Sequence, residues 1–437
     1  MSEHIKDKKA ILQKLGIPAL NPMQVAAQQA ISENNEVVLL SPTGTGKTLA
    51  FLLPIIASLD PSLKEVQVLI LVPSRELAIQ IEQVVREMGS GFKANAVYGG
   101  RAGSKDKMEL KHAPAILIGT PGRIADHFRR ETISTDYIDT LVLDEFDKSL
   151  EVGFESEMIE IIDELRTAKK KILTSATQKV EIPSFVNLKN PTQLDFLDQA
   201  TSNLTLKLVA SDSRDKLAAL VQLLGHIQRG NGIIFCNFKD TIQEVSDYLS
   251  DHHIGHSCFY GGLEQQDRER ALIKFRNGTS RLLLATDLAA RGIDVPALDF
   301  IIHFQLPPKE EEFTHRNGRT ARMQQDGTAY LLKGKNERLP DFISDINEEV
   351  LNGQNQFEDS AWITLFISGG RKDKISKGDI AGLFMKQGQL KKEELGMIEL
   401  KQDCAFVAVP ISKSKNLCNQ LNNSRLKKKK VRISLLK

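Results

Sequence analysis

The sequence predicts an α/β protein with two tandem, doubly wound parallel-sheet domains and a small α+β domain after them. Short apolar strands alternate with amphipathic helices over residues 36–197, and the alternation resumes after a polar stretch at 198–203. Residues 361–437 instead follow the order strand, helix, strand, strand, helix, strand. The expected boundaries are 1–197, 204–346, a linker at 347–360, and 361–437.

The expected elements follow from hydrophobic patterning. Residues Arg75–Met88 predict a helix, because Leu77, Ile81 and Val85 recur on one face. Ligands of parallel sheets bind beyond the carboxyl ends of the strands, so the segments after each strand are the candidate site. The predicted strands are Glu36–Leu40, Val66–Val72, Ala115–Ile118, Thr140–Asp144 and Lys171–Thr174, then Gly232–Cys236, Arg281–Thr286, Phe300–Phe304 and Ala329–Leu332.

Composition points to a cytoplasmic protein without a membrane segment. The chain has 437 residues, of which 41% are hydrophobic and 26% charged, as in ordinary globular proteins. No apolar run approaches the roughly 20 residues that span a bilayer, and the N-terminus does not resemble a signal peptide. The four cysteines are scattered, without metal-ligand or disulfide spacing.

The net charge of +2 is unevenly distributed. Residues 361–437 carry 17 Lys/Arg and 6 Asp/Glu, and much of the excess lies in Arg425–Arg432. A basic segment on an acidic body is typical of a polyanion binder, although a solvated charge run is the alternative. Because apolar residues alternate after the lysines, we expect this run to edge a strand that spans Lys429–Leu435.

A phosphate-binding loop is the most informative motif. It follows the first strand, precedes an apolar helix and consists of Ser41, Pro42, Thr43, Gly44, Thr45, Gly46, Lys47 and Thr48. Backbone N–H groups and a helix N-terminus would cradle phosphates, Lys47 would reach the outer ones, and the Thr48 hydroxyl would ligate Mg²⁺. The strict pattern has glycine at position 41, so a Gly/Thr-rich turn is the alternative. We expect the chain to bind a nucleoside triphosphate.

Two further motifs suit phosphoryl transfer. Asp144 and Glu145 follow an apolar strand, where Asp144 would hold Mg²⁺ and Glu145 would orient and deprotonate water. A helix N-terminus is the other explanation for such a pair. In the second domain, three arginines spaced by three within His315–Arg322 would stabilise charge on a transferred phosphoryl group, or else contact the surface or RNA phosphates.

The ordered motif set resembles that of the DEAD-box RNA helicases. The matching segments are Gln24 after Asn21–Met23, Thr43–Thr48, Pro73–Ala78, Thr120–Arg123, Asp144–Asp147, Ser175–Thr177, Ala285–Asp294 and His315–Arg322. The resemblance implies two RecA-like domains that close on ATP and single-stranded RNA. It also implies ATP and Mg²⁺ as cofactors and RNA as the partner, without an obligate protein partner.

The resemblance also implies roles for individual residues. Gln24 would read adenine, Asp294 would contact the ribose, and Arg319 and Arg322 would reach the terminal phosphate. The residues that couple ATP state to domain closure would be Asp147, Ser175, Thr177 and His315. The RNA backbone contacts would be Arg75, Gly99, Gly100, Thr120, Gly122, Arg123, Asn237, Gln265, Arg268, Thr286 and Arg291.

Several positions depart from the family pattern. Phe146 replaces a small alanine at a junction that we expect to be buried, and residues 1–20 lack the aromatic that usually stacks on adenine. Asn317 and Ala321 replace the usual Ile and Gly between the arginines. Every charged catalytic position is retained, so we expect ATPase activity, with coupling to unwinding in question.

The C-terminal element order suits an RRM-like fold, whose open sheet face stacks bases. Phe366 and Phe406 would share that outer face; packing beneath a loop or the final strand is the alternative. Residues 368–380 resemble the RNA-binding domain of DbpA-type bacterial helicases. This implies recognition of large-subunit (23S-type) ribosomal RNA or pre-ribosomal particles, with phosphate contacts from Arg371, Lys372 and Lys374.

Three functional hypotheses remain open. The leading one is an RNA-dependent ATPase that separates short RNA duplexes during ribosome assembly. An ATP-gated RNA clamp with weak or no unwinding is the second, suggested by Phe146 and Ala321. A DNA translocase is disfavoured by the Thr120–Arg123 and Ser175–Thr177 motifs and by the RRM-like tail.

Overall fold

The computed structural model describes residues 7–100, 103–151, 153–165, 168–176, 182–197, 204–290, 295, 298–320, 326–343, 346–351 and 356–436. They fall into two compact units. One contains the first sheet, and the other contains the second sheet together with the C-terminal domain.

Within the described residues, the first unit is built on seven parallel strands in the order β3-β4-β2-β5-β6-β1-β7. The strands are β1 (Glu36–Leu40), β2 (Val68–Leu71), β3 (Ala94–Val97), β4 (Ile116–Gly119), β5 (Thr140–Leu143), β6 (Lys170–Ser175) and β7 (Thr192–Asp195). Alternate residues of one strand enter opposite cores: Val68 and Ile70 pack on one side, Leu69 and Leu71 on the other. Both faces are therefore covered, as parallel sheets require.

Helices connect these strands. They are α1 (Lys8–Leu15), α2 (Pro22–Glu33), α3 (Lys47–Ser58), α4 (Arg75–Met88), α5 (Gly103–Glu109), α6 (Pro121–Arg129), α7 (Phe146–Glu151) and α8 (Glu155–Glu164), with a 3-10 turn at Ser184–Val186. Helix α4 has the predicted bounds. The Ser74 hydroxyl accepts the Leu77 N–H at its start, and Gly89 takes the left-handed conformation at its end.

The second sheet, in the described part of the chain, also has seven parallel strands, in the order β10-β11-β9-β12-β13-β8-β14. The strands are β8 (Leu204–Ala210), β9 (Gly232–Phe235), β10 (His256–Phe259), β11 (Leu282–Ala285), β12 (Phe300–His303), β13 (Gly327–Lys333) and β14 (Asn347–Glu348). The helices are α9 (Leu217–Ile227), α10 (Lys239–Asp251), α11 (Gln265–Arg276), α12 (Asp287–Ala290) and α13 (Glu310–Asn317).

The C-terminal domain has a four-stranded antiparallel sheet in the order β16-β17-β15-β20. Its strands are β15 (Trp362–Ile367), β16 (Ile398–Leu400), β17 (Ala405–Pro410) and β20 (Ile433–Leu435); β18 (Arg425–Leu426) and β19 (Lys429–Lys430) form a separate hairpin. Its helices are α14 (Lys377–Gly382), which continues as a π-helical turn at Leu383–Gln387, and α15 (Ile411–Leu421), with 3-10 turns at Arg371–Asp373 and Lys392–Glu394. Leu365, Ile367 and Val407 face the core, as their alternation predicts.

The single strand expected over Lys429–Leu435 is wrong. The backbone of Val431 bonds with Ser424 and Asn423, and the Val431 side chain is buried, so the chain turns there. Two short strands, β19 and β20, therefore take the place of the single strand. The lysine run belongs to the hairpin, and only Ile433–Leu435 joins the sheet.

The fold class predicted from the sequence is confirmed: two parallel doubly wound sheets precede a small antiparallel-sheet domain. Five strands of the two parallel sheets were not predicted, namely β3, β7, β8, β10 and β14, the last of which lies inside the expected linker. Strand β3 (ANAV) and strand β7 (TQLD) carry little of the β-branched, apolar signal on which the predictions rest. Among the described residues, no helix has the length and apolarity needed to cross a membrane.

Candidate functional site

The phosphate-loop candidate joins β1 to α3 through a tight turn. Gly44 and Gly46 have φ values of +82° and +87°, and a Cβ at Gly46 would lie 2.5 Å from the amide nitrogen of Gln24. The positive φ favours glycine at Gly46, and any side chain there would also displace the Gln24 amide. The buried Lys47 ammonium donates to the carbonyl oxygens of Ser41 and Pro42 at 2.5 and 2.9 Å. The loop thus holds the positively charged Lys47 side chain at the start of α3.

Ser41 occupies the position where the strict motif has glycine. Its side chain is fully buried, and its hydroxyl lies 2.8 Å from that of Thr45, whose hydroxyl also lies 2.9 Å from the Pro42 carbonyl oxygen. The departure therefore adds a hydrogen bond across the loop.

Gln24 is held against the same loop. Gln24 and Asn21 form a reciprocal capping box at the start of α2, and the Gln24 amide nitrogen donates to the Gly46 carbonyl at 3.3 Å. Asn21 donates to the Thr45 carbonyl at 3.0 Å. The structure therefore brings the residue expected to read adenine into contact with the residues expected to bind phosphates.

The two candidate catalytic acids differ in their surroundings. Asp144 is 3% exposed and accepts a short hydrogen bond from the Thr174 hydroxyl of neighbouring β6. Glu145 is half-buried and has a φ of +47°, an uncommon conformation for a residue with a side chain. Its N–H donates to the Thr174 hydroxyl oxygen at 3.3 Å, and its carbonyl accepts from the first turns of α7. Strain of this kind is concentrated at functional sites.

The surroundings of Asp144 fit a magnesium ion. Burial raises the pKa of its carboxyl above the ordinary value, although the Thr174 hydrogen bond and the Lys47 charge oppose the shift. A buried carboxylate that is costly to ionise gains from a cation nearby. The Thr48 hydroxyl and the Asp144 carboxylate are oxygen donors of the kind that Mg²⁺ prefers.

Asp144→Asn is expected to stabilise the nucleotide-free protein while removing its response to Mg²⁺-ATP. Because the raised pKa favours the neutral carboxyl in the folded state, wild-type stability falls as pH rises through that pKa, and the amide avoids this loss. The melting temperature should rise by about 2–4 °C per kcal/mol gained, and the gain should vanish near pH 3.8. Thermal scans from pH 4 to pH 8 measure it, with exposed Asp163→Asn as control. A lower melting temperature at pH 8 would contradict it.

Neighbouring positions of the first sheet are fixed by strand pairing. Ser175 ends β6, and its carbonyl accepts the Ser41 N–H at 3.0 Å, so Ser175 adjoins the phosphate-loop candidate.

Asp147 is 5% exposed and lies 3.3 Å from the Lys148 ammonium. Phe146, 1% exposed, packs into the core on one side of the sheet, which confirms its expected burial.

Strand order divides the carboxyl edge of the first sheet into two halves. The nucleotide-site candidates follow β5, β6 and β1, which are adjacent. The RNA-site candidates follow β3, β4 and β2, which are also adjacent: Gly99 and Gly100 follow β3, Thr120, Gly122 and Arg123 follow β4, and Arg75 follows β2. Residues from distant parts of the sequence thus form two neighbouring groups on one edge.

Arg123 is more constrained than a free phosphate ligand. Its guanidinium donates to the buried Asp106 at 2.6 and 2.9 Å and to Asp126 at 2.9 Å. His127 lies 3.3 Å from the same Asp106 oxygen. Thr120 starts α6, and Arg75 starts α4 with its guanidinium beside Gly100.

The second sheet shows a similar division. Asn237, the α11 residues Gln265 and Arg268, and Thr286 follow the adjacent strands β9, β10 and β11, whereas His315 and Arg319 follow β12. Arg268 is 8% exposed and stacks 4.6 Å over the Phe259 ring, and Gln265 and Thr286 are half-buried. His315 and Arg319 are 8% and 5% exposed. Four further candidates, Thr177, Arg291, Asp294 and Arg322, lie outside the described residues.

Arg316 is a structural residue that sequence reasoning did not separate from its neighbours. It is 1% exposed and donates to both oxygens of Asp287 at 2.7 and 2.5 Å. It also donates to the Gln305 carbonyl and to Asn237 Oδ1, each at 2.7 Å. Arg316 therefore connects the segments after β9, β11 and β12.

In the C-terminal domain, the sheet face expected to be open is covered. Phe366 and Phe406 share that face in edge contact, with ring centroids 5.8 Å apart, but Phe406 is only 7% exposed. Helix α11 of the second-sheet domain packs over this face, which sequence patterning could not foresee. By contrast, Lys372 and Lys374 are exposed in the turn after β15, and Arg371 is half-buried.

Comparisons with known proteins agree with these motifs. Residues 21–184 match the DEAD/DEAH box helicase family, 215–324 the helicase conserved C-terminal domain, and 364–435 the DbpA RNA binding domain. The ATP-dependent RNA helicase DbpA of Escherichia coli is 33% identical over 98% of this chain and 96% of its own length. The chain belongs to the DEAD/DEAH box helicases. It is therefore an enzyme of the ATP-dependent RNA helicase class, with a C-terminal domain of the DbpA RNA-binding type.

Two further relatives of this helicase are informative. The DbpA helicase of Bacillus subtilis is 29% identical over 97% of this chain and 96% of its own length. A structure of S. cerevisiae Dbp5 bound to RNA and ADP BeF3 superposes with a TM-score of 0.67 at 26% identity, covering 76% of this chain and 89% of Dbp5. The family resemblance inferred from the motifs is confirmed.

Proposed function

We propose that this helicase is an RNA-dependent ATPase that separates short duplexes in 23S-type ribosomal RNA or pre-ribosomal particles in the cytoplasm. The observation that carries the proposal is the divided carboxyl edge of the first sheet, with nucleotide candidates after β1, β5 and β6 and RNA candidates after β2, β3 and β4. An enzyme whose nucleotide and RNA ligands share one sheet edge can make each respond to the other. The ribosomal assignment rests on the DbpA-type domain, for which we propose residues 361–437.

The residues proposed to bind ATP would act mainly by placing charges and hydrogen-bond partners around it. Gln24 reads the adenine, Ser41–Thr48 hold the phosphates, and Asp294 contacts the ribose. Thr48 and Asp144 hold Mg²⁺, which neutralises phosphate charge when bound. Glu145 accepts a proton from the attacking water, and Lys47, Arg319 and Arg322 stabilise charge on the transferred phosphoryl group.

Coupling and RNA contact would use the remaining candidates. Asp147, Ser175, Thr177 and His315 transmit the ATP state. RNA backbone contacts of this kind fix the position of a strand without reading its sequence. The proposed contacts are Arg75, Gly99, Gly100, Thr120, Gly122, Arg123, Asn237, Gln265, Arg268, Thr286, Arg291, Arg371, Lys372 and Lys374.

Release of a short RNA duplex, measured beside RNA-stimulated ATP hydrolysis, tests the proposal. We expect both, with 23S-type fragments more effective than unrelated RNA of equal length. Hydrolysis without strand release would instead support the ATP-gated clamp, which buried Phe146 next to Glu145 favours. Equal stimulation by DNA would contradict the RNA assignment. Deleting residues 361–437 should abolish only the preference for ribosomal fragments.

A further inference from the structure

The second-sheet domain and the C-terminal domain meet along the outer face of the C-terminal sheet, where α11 packs against β15. Trp362, Thr364 and Phe366 alternate along β15 on that face. The central residue, Thr364, is fully buried, and its hydroxyl lies 2.7 Å from that of Thr279. This contact separates a cavity of about 640 Å³ beside Trp362 from one of about 1000 Å³ beside Phe366, and no residue lines both.

The smaller cavity, which we call the Trp362 cavity, lies at the edge of the second sheet opposite to the catalytic candidates. Asn231, Arg281 and Asp299 line it, and they directly precede strands β9, β11 and β12. The described ATP and RNA candidates of this domain all follow strands instead. A ligand in the Trp362 cavity would therefore leave the carboxyl edge of the sheet free.

The charged residues that line the Trp362 cavity are three arginines and one acid. Arg276 is occupied, since it donates to both carboxylate oxygens of Glu399 at 2.7 and 2.9 Å. Arg281 is weakly paired, because it lies 3.7 Å from Glu358, whose side chain is 61% exposed. Within the described residues, the exposed Arg229 has no ion-pair partner. Arg229 and Arg281 therefore keep N–H groups for an anion, and guanidinium groups bind phosphate in a bidentate manner.

Trp362 and Asn277 form the uncharged part of the Trp362 cavity. Trp362 is half-buried and offers a planar ring on which another ring can stack. Asn277 is 5% exposed, and its amide nitrogen donates to the Thr364 hydroxyl at 3.3 Å. Its Oδ1 atom has no hydrogen-bond partner in the part of the chain that the structure describes. A buried acceptor of this kind is stabilised by a ligand that donates an N–H to it.

We propose that the Trp362 cavity binds a free nucleotide, with its base against Trp362 and its phosphate on Arg229 and Arg281. The indole and the two cations call for a planar ring joined to an anion, and Asn277 Oδ1 calls for a ring N–H or an amino group. A nucleoside monophosphate such as GMP has all three features. The inference goes beyond the proposed function, because it involves neither ATP hydrolysis nor RNA.

The size and position of the Trp362 cavity favour a small ligand over a strand. Its volume of about 640 Å³ falls within the range of small-molecule sites, roughly 300–1,000 Å³. Because the contact at Thr364 separates it from the neighbouring cavity, a continuous strand cannot pass from one to the other along the sheet face.

The test uses the full-length protein with saturating ADP, which keeps the probe out of the ATP site. The probe is GMP, and the emission of Trp362, the only tryptophan, reports its binding directly. We expect saturable quenching with half-saturation between about 10 µM and 1 mM. Guanosine, which lacks the phosphate, should bind more weakly on the order of tenfold, because the charge-assisted hydrogen bonds are lost.

Arg229→Ala separates the phosphate contact from the base contact. It should weaken GMP binding on the order of tenfold and leave guanosine binding and RNA-stimulated ATP hydrolysis unchanged. The matched control is Arg338→Ala, which removes an exposed arginine of the same domain and should change none of these quantities. Trp362→Ala should weaken GMP binding by roughly 5–150-fold, measured by equilibrium dialysis with labelled GMP.

Four results would overturn the inference. Absence of GMP binding would indicate a cavity that holds only water, and displacement of GMP by inorganic phosphate at equal affinity would indicate an anion site without base recognition. An equal loss from Arg338→Ala would remove the specific role of Arg229. Displacement of GMP by a short single-stranded RNA at lower concentration than GMP itself would make RNA the occupant. Failure of the proposed function would appear separately, as absence of RNA-stimulated ATP hydrolysis.

Discussion

Glu145→Gln is expected to bind ATP as tightly as the wild type and to hydrolyse it about 10²–10⁴ times more slowly. The amide keeps the size of the side chain and the backbone bond to Thr174, but it cannot accept the proton of the attacking water. The φ of +47° at Glu145 is fixed by strand β5 and helix α7, so the substitution should not move the backbone. Titration with a fluorescent ATP analogue and single-turnover hydrolysis measure the two quantities.

Glu164→Gln is the matched control, because it makes the same chemical change at an exposed position of α8. It should alter neither quantity. A loss of less than about tenfold in hydrolysis by Glu145→Gln would remove Glu145 from the role of base. A parallel loss of ATP affinity would show that its charge supports the ground state instead.

The sequence predicts candidate segments for nucleotide and RNA binding, but it does not predict how these segments are grouped along the sheet edge. The phosphate loop, Asp144 and Ser175 were expected on one sheet edge, since each follows a strand. That they adjoin one another depends on the order β5-β6-β1, which is set by long-range pairing and has no local signature. The separate grouping of Arg75, Gly99 and Thr120 depends on β3, a strand that the patterning missed.

One apparent departure from the family pattern has a structural explanation. The Oδ1 atom of Asn317 accepts a hydrogen bond from Nε2 of the fully buried His303 at 3.1 Å. Burial and the nearby Arg316 charge lower the pKa of His303 to about 3, so it stays neutral and needs a polar partner. The Asn317 amide therefore supplies the polar partner that the buried His303 imidazole needs. A single sequence shows each residue but not their contact.

The C-terminal domain shows the limit of reasoning by periodicity. Alternation correctly assigned Leu365 and Ile367 to the core and Phe366 to the opposite face. Whether that opposite face meets solvent depends on another domain, through contacts such as Arg276–Glu399, which join residues 123 positions apart. Periodicity reports which face a residue takes and not what covers it.

Phe146→Ala, which restores the usual family residue, is expected to destabilise this protein by about 3–5 kcal/mol. The ring is 1% exposed and belongs to the same core as Leu143, Met158 and Leu173. Close-packed neighbours collapse only partly around a deleted side chain, so a cavity would remain. Against a domain stability of about 5–15 kcal/mol the loss is large, and the melting temperature should fall by about 6–20 °C.

Phe146→Leu separates packing from coupling. It keeps most of the apolar volume, so its cost should be on the order of 1 kcal/mol. Thermal scans identify the first-sheet transition by its shift on adding ATP, and duplex release per ATP hydrolysed is measured on the same samples. If Phe146→Ala matches the wild type in stability, the ring is not filling space that the core requires. If Phe146→Leu raises duplex release per ATP hydrolysed, the ring limits coupling through the neighbouring Glu145, and the ATP-gated clamp hypothesis gains its physical basis.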